Sequence, residues 1–187
     1  MTPTRWAATL CFVALAPCQA QKSQPDTASP VLAPAAAAAA DVGSMDAIMH
    51  AIYDVISGPA GARDWNRFYS LFAPGARLIP TRRGADSLPR VAAMTPQEYA
   101  QRAGDYFSKN AFYEKEIGRT VDTFGAVTQI FSAYASRHAP DDAKPFARGI
   151  NSFQLFNDGK RWYVVTIYWD AERPGNEIPE RYLKTSR

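Results

Sequence analysis

Cysteine is nearly absent from this 187-residue chain: only Cys11 and Cys18 occur, both close to the start. The rest of the sequence therefore excludes disulfide staples, thiol nucleophiles, Cys-ligated zinc and redox pairs together. Histidine is just as scarce, with His50 and His138 alone. Neither sits at a metal-ligand spacing such as H-E-x-x-H, and an isolated His is more often structural or exposed than catalytic. No Gly-rich phosphate loop is present. Ser132, Ser136 and Ser152 lack an elbow of the G-x-S-x-G kind. Charge of one sign does not dominate either: the net charge is +3, and the densest basic clusters are the pairs Arg82-Arg83 and Lys160-Arg161. A nucleic-acid partner would call for a basic stripe, so none is expected. No apolar run is long enough for a stable membrane span. No metal and no cofactor is implied.

What is present begins with "MTPTR", which carries Arg5 and no acid, followed by the apolar "WAATLCFVALA" and then "PCQA". A charged start, a short apolar run and small residues make residues 1–20 a signal peptide, with a mature N-terminus at Gln21. The expected destination is the periplasm or the exterior. "LAPC" also resembles a lipoprotein signal ending at Cys18, although Pro17 is atypical before that cysteine. Residues 21–43 are Pro, Ala, Ser and Gln with almost no large apolar side chain, and are expected to be a disordered tether. The folded domain is expected over residues 44–187.

In that domain "SMDAIMHAIYDVISG" has helical spacing at Ile48, Ile52, Val55 and Ile56, with Ser44 as cap and Gly58 as stop. "RDWNRFYSLFAPG" predicts a second helix with a stripe of Trp65, Phe68, Tyr69 and Phe72, ended by Pro74-Gly75. "ARLIP" predicts a short strand, and another is expected near Leu88 to Val91. "TPQEYAQRAGDYFS" carries Thr95, Pro96 and Glu98 as a capping box with proline in the first turn. Beyond it the period changes to two. Four long strands follow, with turns near Asp122 to Gly125 and at Asn157-Asp158-Gly159, and the Pro-rich tail is expected to run irregularly. Helices first and strands after argue α+β, with three helices packed on a strongly curved antiparallel sheet of four long strands plus short ones.

Two segments carry a resemblance. "ARDWNRFYSLFAPGARL" resembles the second-helix region of the NTF2-like (SnoaL-like) superfamily of cone-shaped α+β domains. "VTQIFSAYASRH" and "GINSFQLFNDGKRWYVVTIYWD" resemble its closing strands, including Gly-x-x-Trp after the hairpin turn. The resemblance covers Ser44 to about Asp170 and implies the fold. For function it implies only a range, from dehydratases and isomerases to pocketed domains without assigned activity.

A two-residue hairpin loop at Asp158-Gly159 would set Leu155 against Trp162, Phe153 against Val164, Asn151 against Thr166 and Gly149 against Tyr168. That face grades from apolar near the turn to polar away from it, as the wall of a cone-shaped pocket would. The alternative is a plain core in which Asn151 and Tyr168 bond within the protein. The expected pocket lining is Tyr53, Trp65, Tyr69, Tyr99, Asn151, Thr166 and Tyr168, with Leu155, Phe153 and Trp162 closing the narrow end. Ile150, Val165, Ile167 and Trp169 would line the outer sheet face and make a homodimer surface. Tyr53-Asp54, Asp105 and Asp170 are the acid candidates. Adjacent helix positions point about 100° apart, so only one of Tyr53 and Asp54 can face a cavity, and no catalytic residue is assigned. Two functions remain open. One is an exported pocket domain binding a small apolar molecule or a protein partner. The other is a cofactor-free dehydratase or isomerase working by proton transfer, which a buried carboxylate beside a Tyr hydroxyl would favour.

Overall fold

A computed structural model describes residues 36–184. Its first long helix, α2 (Met45–Ile56), begins where the Ser44 hydroxyl accepts the Ala47 N–H at 3.0 Å, and it buries Ile48, Met49, Ile52 and Val55. A short helical turn, α1 (Ala39–Val42), precedes it. The domain therefore starts earlier than Ser44: Val42 is buried in the core, and Asp41 receives two hydrogen bonds from the Arg67 guanidinium, at 2.8 and 2.9 Å. The signal peptide and most of the expected tether lie outside the described residues.

α3 (Trp65–Ser70) is shorter than its aromatic stripe suggests. Phe72 already belongs to β1 (Phe72–Arg83), a long strand rather than the short one expected, and Pro74-Gly75 lies inside it. Gly75 takes a positive φ of 79°, and the register of β1 against its neighbour shifts between Phe72 and Arg77. Proline and glycine there bend a strand instead of stopping a helix. β2 (Pro89–Val91) folds back on β1. α4 (Pro96–Phe107) has the expected capping box: Glu98 N–H donates to the Thr95 hydroxyl at 3.2 Å, and Thr95 N–H donates to the Glu98 carboxylate at 2.7 Å.

Four strands complete the sheet: β3 (Tyr113–Phe124), β4 (Val127–Arg137), β5 (Ala147–Asn157) and β6 (Trp162–Ala171). The order is β2-β1-β6-β5-β4-β3. Three of the contacts, β3 to β4 to β5 to β6, are antiparallel as expected, but β1 joins β6 in parallel, so the sheet is mixed. The α+β architecture of helices layered on a curved sheet is the one the NTF2-like resemblance implies. A 3₁₀ turn at Glu180–Tyr182 ends the described tail, where Tyr182 stacks on Phe131 at 5.4 Å.

The β5–β6 hairpin differs from the expected register. Its loop spans Asp158 to Arg161, whose ends are joined by an Asp158 N–H to Arg161 C=O bond, and Asn157 pairs with Trp162. Leu155 then faces Val164, but Gln154 faces Thr166, so Val165 is an extra residue in β6. Beyond this bulge the faces of β6 are exchanged relative to simple alternation. Phe153 pairs with Ile167 and Asn151 with Trp169 on the inner side, while Ser152 pairs with Tyr168 on the outer side. This corrects the expected outer patch: Ile167 and Trp169 face inward, leaving Ile150 and Val165 with Tyr168 on the convex face.

Candidate functional site

Between the helices and the inner sheet face lies a cavity of about 240 Å³. The helices contribute Ile52, Tyr53, Ile56, Phe68 and Tyr99. The sheet contributes Leu78, Glu114, Tyr134, Ser136, Ala147, Asn151, Phe153, Ile167 and Trp169, and Phe112 and Phe146 complete the lining from the strand ends. That is room for a small organic molecule.

The polar part of this wall is built on alternation. In β4 the inward positions are Ile130, Ser132, Tyr134 and Ser136, all buried. In β3 Glu114 pairs with Ser136 and Glu116 with Tyr134, so the two acids share the inward face at a spacing of two. The Ser136 hydroxyl donates to Glu114 Oε2 at 2.7 Å, and the Ser132 hydroxyl donates to Glu116 Oε1 at 2.6 Å. Ser132 Oγ lies 2.7 Å from the Tyr53 hydroxyl, and that hydroxyl accepts the Asn151 side-chain amide at 3.1 Å. With the Ser132 proton committed to Glu116, the Tyr53 proton points to Ser132. A continuous string therefore runs Asn151, Tyr53, Ser132, Glu116.

Glu116 also pairs with Arg119 at 3.4 Å, and Glu114 differs. Among the described residues no ion pair reaches its carboxylate. Burial pushes its pKa up to about 7, with the Ser136 hydroxyl and the Asn151 amide pulling the other way. Burial also raises Tyr53, Tyr99 and Tyr134 above the ordinary phenol range, and the Glu114 charge adds to each shift. Burial raises Glu116 too, opposed by the Ser132 hydroxyl and by Arg119. Glu114 and Tyr53 also line an open cleft between α2 and β3, shared with the charged or titratable Asp46, His50, Asp54, Lys115, Glu116 and Arg119.

Of the expected lining, Tyr53, Tyr99 and Asn151 stand on the cavity wall. Trp65 and Tyr69 do not. Trp65 stacks on Phe107 at 6.2 Å between α3 and α4, Tyr69 packs against the core, and Phe68 is the α3 side chain that reaches the cavity. Thr166 and Tyr168 lie on the opposite face because of the Val165 bulge, and Ile167 and Trp169 take the inward places. Leu155 is fully buried and Phe153 forms cavity wall, whereas Trp162 is only partly buried. Asp54 is exposed and pairs with Arg67 at 2.6 Å. Asp105 is exposed, and Asp170 pairs with Arg173 at 2.9 Å. His50 is exposed, and His138 stacks on Phe146 at 4.2 Å without lining the cavity. Glu114 itself escaped sequence reasoning. The available signal was a pair of acids two apart, opposite a strand with serines four apart.

Among the described residues no cluster of three metal-ligating side chains forms, and no helix is long and apolar enough to cross a membrane.

No family model matches the chain, and no curated protein matches it in sequence. Solved structures are similar to it in fold. A protein of unknown function with a cystatin-like fold from Nostoc punctiforme is 11% identical, with a TM-score of 0.49 over 66% of this chain and 84% of that one. An NTF2-like protein of unknown function from Shewanella baltica is 17% identical, with a TM-score of 0.42 over 70% of this chain and 98% of that one. The S. rosetta CaMKII hub is 15% identical, with a TM-score of 0.45 over 68% of this chain and 90% of that one.

Proposed function

We propose that this chain is an exported domain that binds a small, mostly apolar molecule in the cavity between α2, α4 and the sheet. The observation that supports this reading is an aromatic and aliphatic wall into which one carboxylate, Glu114, is set. A largely apolar pocket with a few placed polar groups is the usual form of a small-molecule site. Export rests on the leader-like residues 1–20. The test is native mass spectrometry of the protein purified from its exported compartment. One small organic molecule per chain is expected in the parent and none in Ala147→Trp, which fills the cavity. No retained molecule in the parent, or the same molecule in both proteins, contradicts the proposal.

A second reading, cofactor-free isomerase or dehydratase chemistry, is favoured by one specific feature. Glu114 titrates near neutrality and shares its cavity with the hydroxyls of Tyr53, Tyr99 and Tyr134. In this role the ionised carboxylate takes a proton from a carbon beside a carbonyl, a tyrosine hydroxyl donates to the developing oxyanion, and the proton returns to a second carbon. Exchange of the α-protons of cyclohexanone in D₂O, followed by NMR, separates the readings. Proton-transfer chemistry predicts exchange that rises with pH through about 7, and loss of general-base help of about 10²–10⁴-fold in Glu114→Gln. Binding without exchange leaves the pocket reading standing alone.

A further inference from the structure

The cavity is uneven in its charges. Of its sixteen lining residues, half are aromatic: Tyr53, Phe68, Tyr99, Phe112, Tyr134, Phe146, Phe153 and Trp169. None is Lys, Arg or His. Glu114 is the only acid, and the groups that favour its ionised form are the neutral Ser136 hydroxyl and Asn151 amide. A half-buried carboxylate without a cation still carries a desolvation cost. Elsewhere in this chain half-buried acids meet that cost with arginine, as Asp41 does with Arg67 and Glu116 with Arg119. Among the described residues no side-chain cation pairs with the Glu114 carboxylate, and on the cavity side a ligand meets it directly.

The geometry points to an organic cation, a protonated amine or a quaternary ammonium, as the ligand class of this cavity. The inference rests on the pocket-binding reading above and names its ligand's polar group. Ring faces attract a cation through their quadrupoles, most strongly where water is excluded. Trp169 and Tyr99 meet edge to face at 6.4 Å, and Phe112 and Phe146 at 6.1 Å, so rings stand at two parts of the wall. The cation's charge offsets Glu114, and its alkyl or aryl body packs on Ile52, Leu78 and Ile167. An anionic ligand would meet a like charge and no donor cation. A neutral one leaves the carboxylate to be neutralised by a proton alone.

The test compares choline with its neutral carbon isostere, 3,3-dimethylbutan-1-ol, by NMR titration of the full chain at pH 8. The two differ in charge and hardly in shape. Choline is expected to bind about tenfold more tightly or better. Glu114→Gln should shrink the preference to what the aromatic rings alone supply, weakening choline far more than the alcohol. Phe146→Leu, at a half-exposed position that tolerates truncation, should weaken choline more than the alcohol. Equal affinities in the parent, no saturable choline binding, or a preference undiminished in Glu114→Gln would overturn the assignment. Saturable binding of the alcohol with no preference for choline sinks the cation alone and leaves the pocket intact. Failure of both probes, together with no retained molecule in the native mass spectrum, sinks the pocket as well.

Discussion

Glu114 contributes a distinctive part of the domain's pH dependence. Its ordinary value is 4.5 and its folded value about 7, so between those limits the folded protein holds a proton that the unfolded chain has released. Its contribution to stability then falls as pH rises from about 4.5 to about 7, and stays lower above it. Glu114→Gln keeps an acceptor for Ser136 and removes the charge. Its melting temperature should match the parent's near pH 4.5 and exceed it at pH 8. At about 1.4 kcal/mol per pH unit the gain is at most about 3.5 kcal/mol. A variant equally stable at both ends of that range would show that Glu114 ionises freely. Asn151 is both cavity wall and part of a buried network, which joins the two alternatives the sequence left open. Asn151→Leu takes a donor from the Tyr53 hydroxyl and from the region of Glu114. Thermal melts should show a loss on the order of 1–3 kcal/mol, and the Glu114 midpoint should rise further.

Among the elements, those specified by local chemistry were legible in the sequence. α4 could be read from Thr95, Pro96 and Glu98, because a capping box acts within one turn. The hairpin could be read as a hairpin, but its register could not. The Val165 bulge has no signature in a run of Val, Thr, Ile and Tyr, where every residue suits a strand. That single inserted residue decided which aromatics face the cavity, so Thr166 and Tyr168 were expected where Ile167 and Trp169 stand. The parallel pairing of β1 with β6 joins segments far apart in the chain, and nothing local encodes it. Tail docking is equally non-local. At Gly118 in β3 an added Cβ would meet the backbone of Tyr182 and Leu183. Gly118→Ala should therefore lift the C-terminal turn from the sheet. Faster hydrogen exchange and proteolysis near Glu180–Lys184 would reveal it, and unchanged protection would contradict it.

For the molecule as a whole, the domain boundary and the inner face of the sheet carry the consequences. Deleting residues 21–43 removes Val42 from the core and Asp41 from Arg67. Burial of one such side chain contributes about 1.5–3 kcal/mol, so the melting temperature should drop by several degrees; an unchanged melt would mean that α1 does not stabilise the domain. Trp169 lies on the inner face against Tyr99, so Trp169→Glu should destabilise the monomer itself rather than act at a subunit surface. The central claim is that one half-buried carboxylate on the cavity wall gives this cavity its chemistry. It is tested most directly by labelling the glutamate side-chain carboxyls with ¹³C, assigning Glu114 by its loss in Glu114→Gln, and following its shift with pH. A midpoint near 7 is the predicted result, and a midpoint near the ordinary glutamate value would contradict the account.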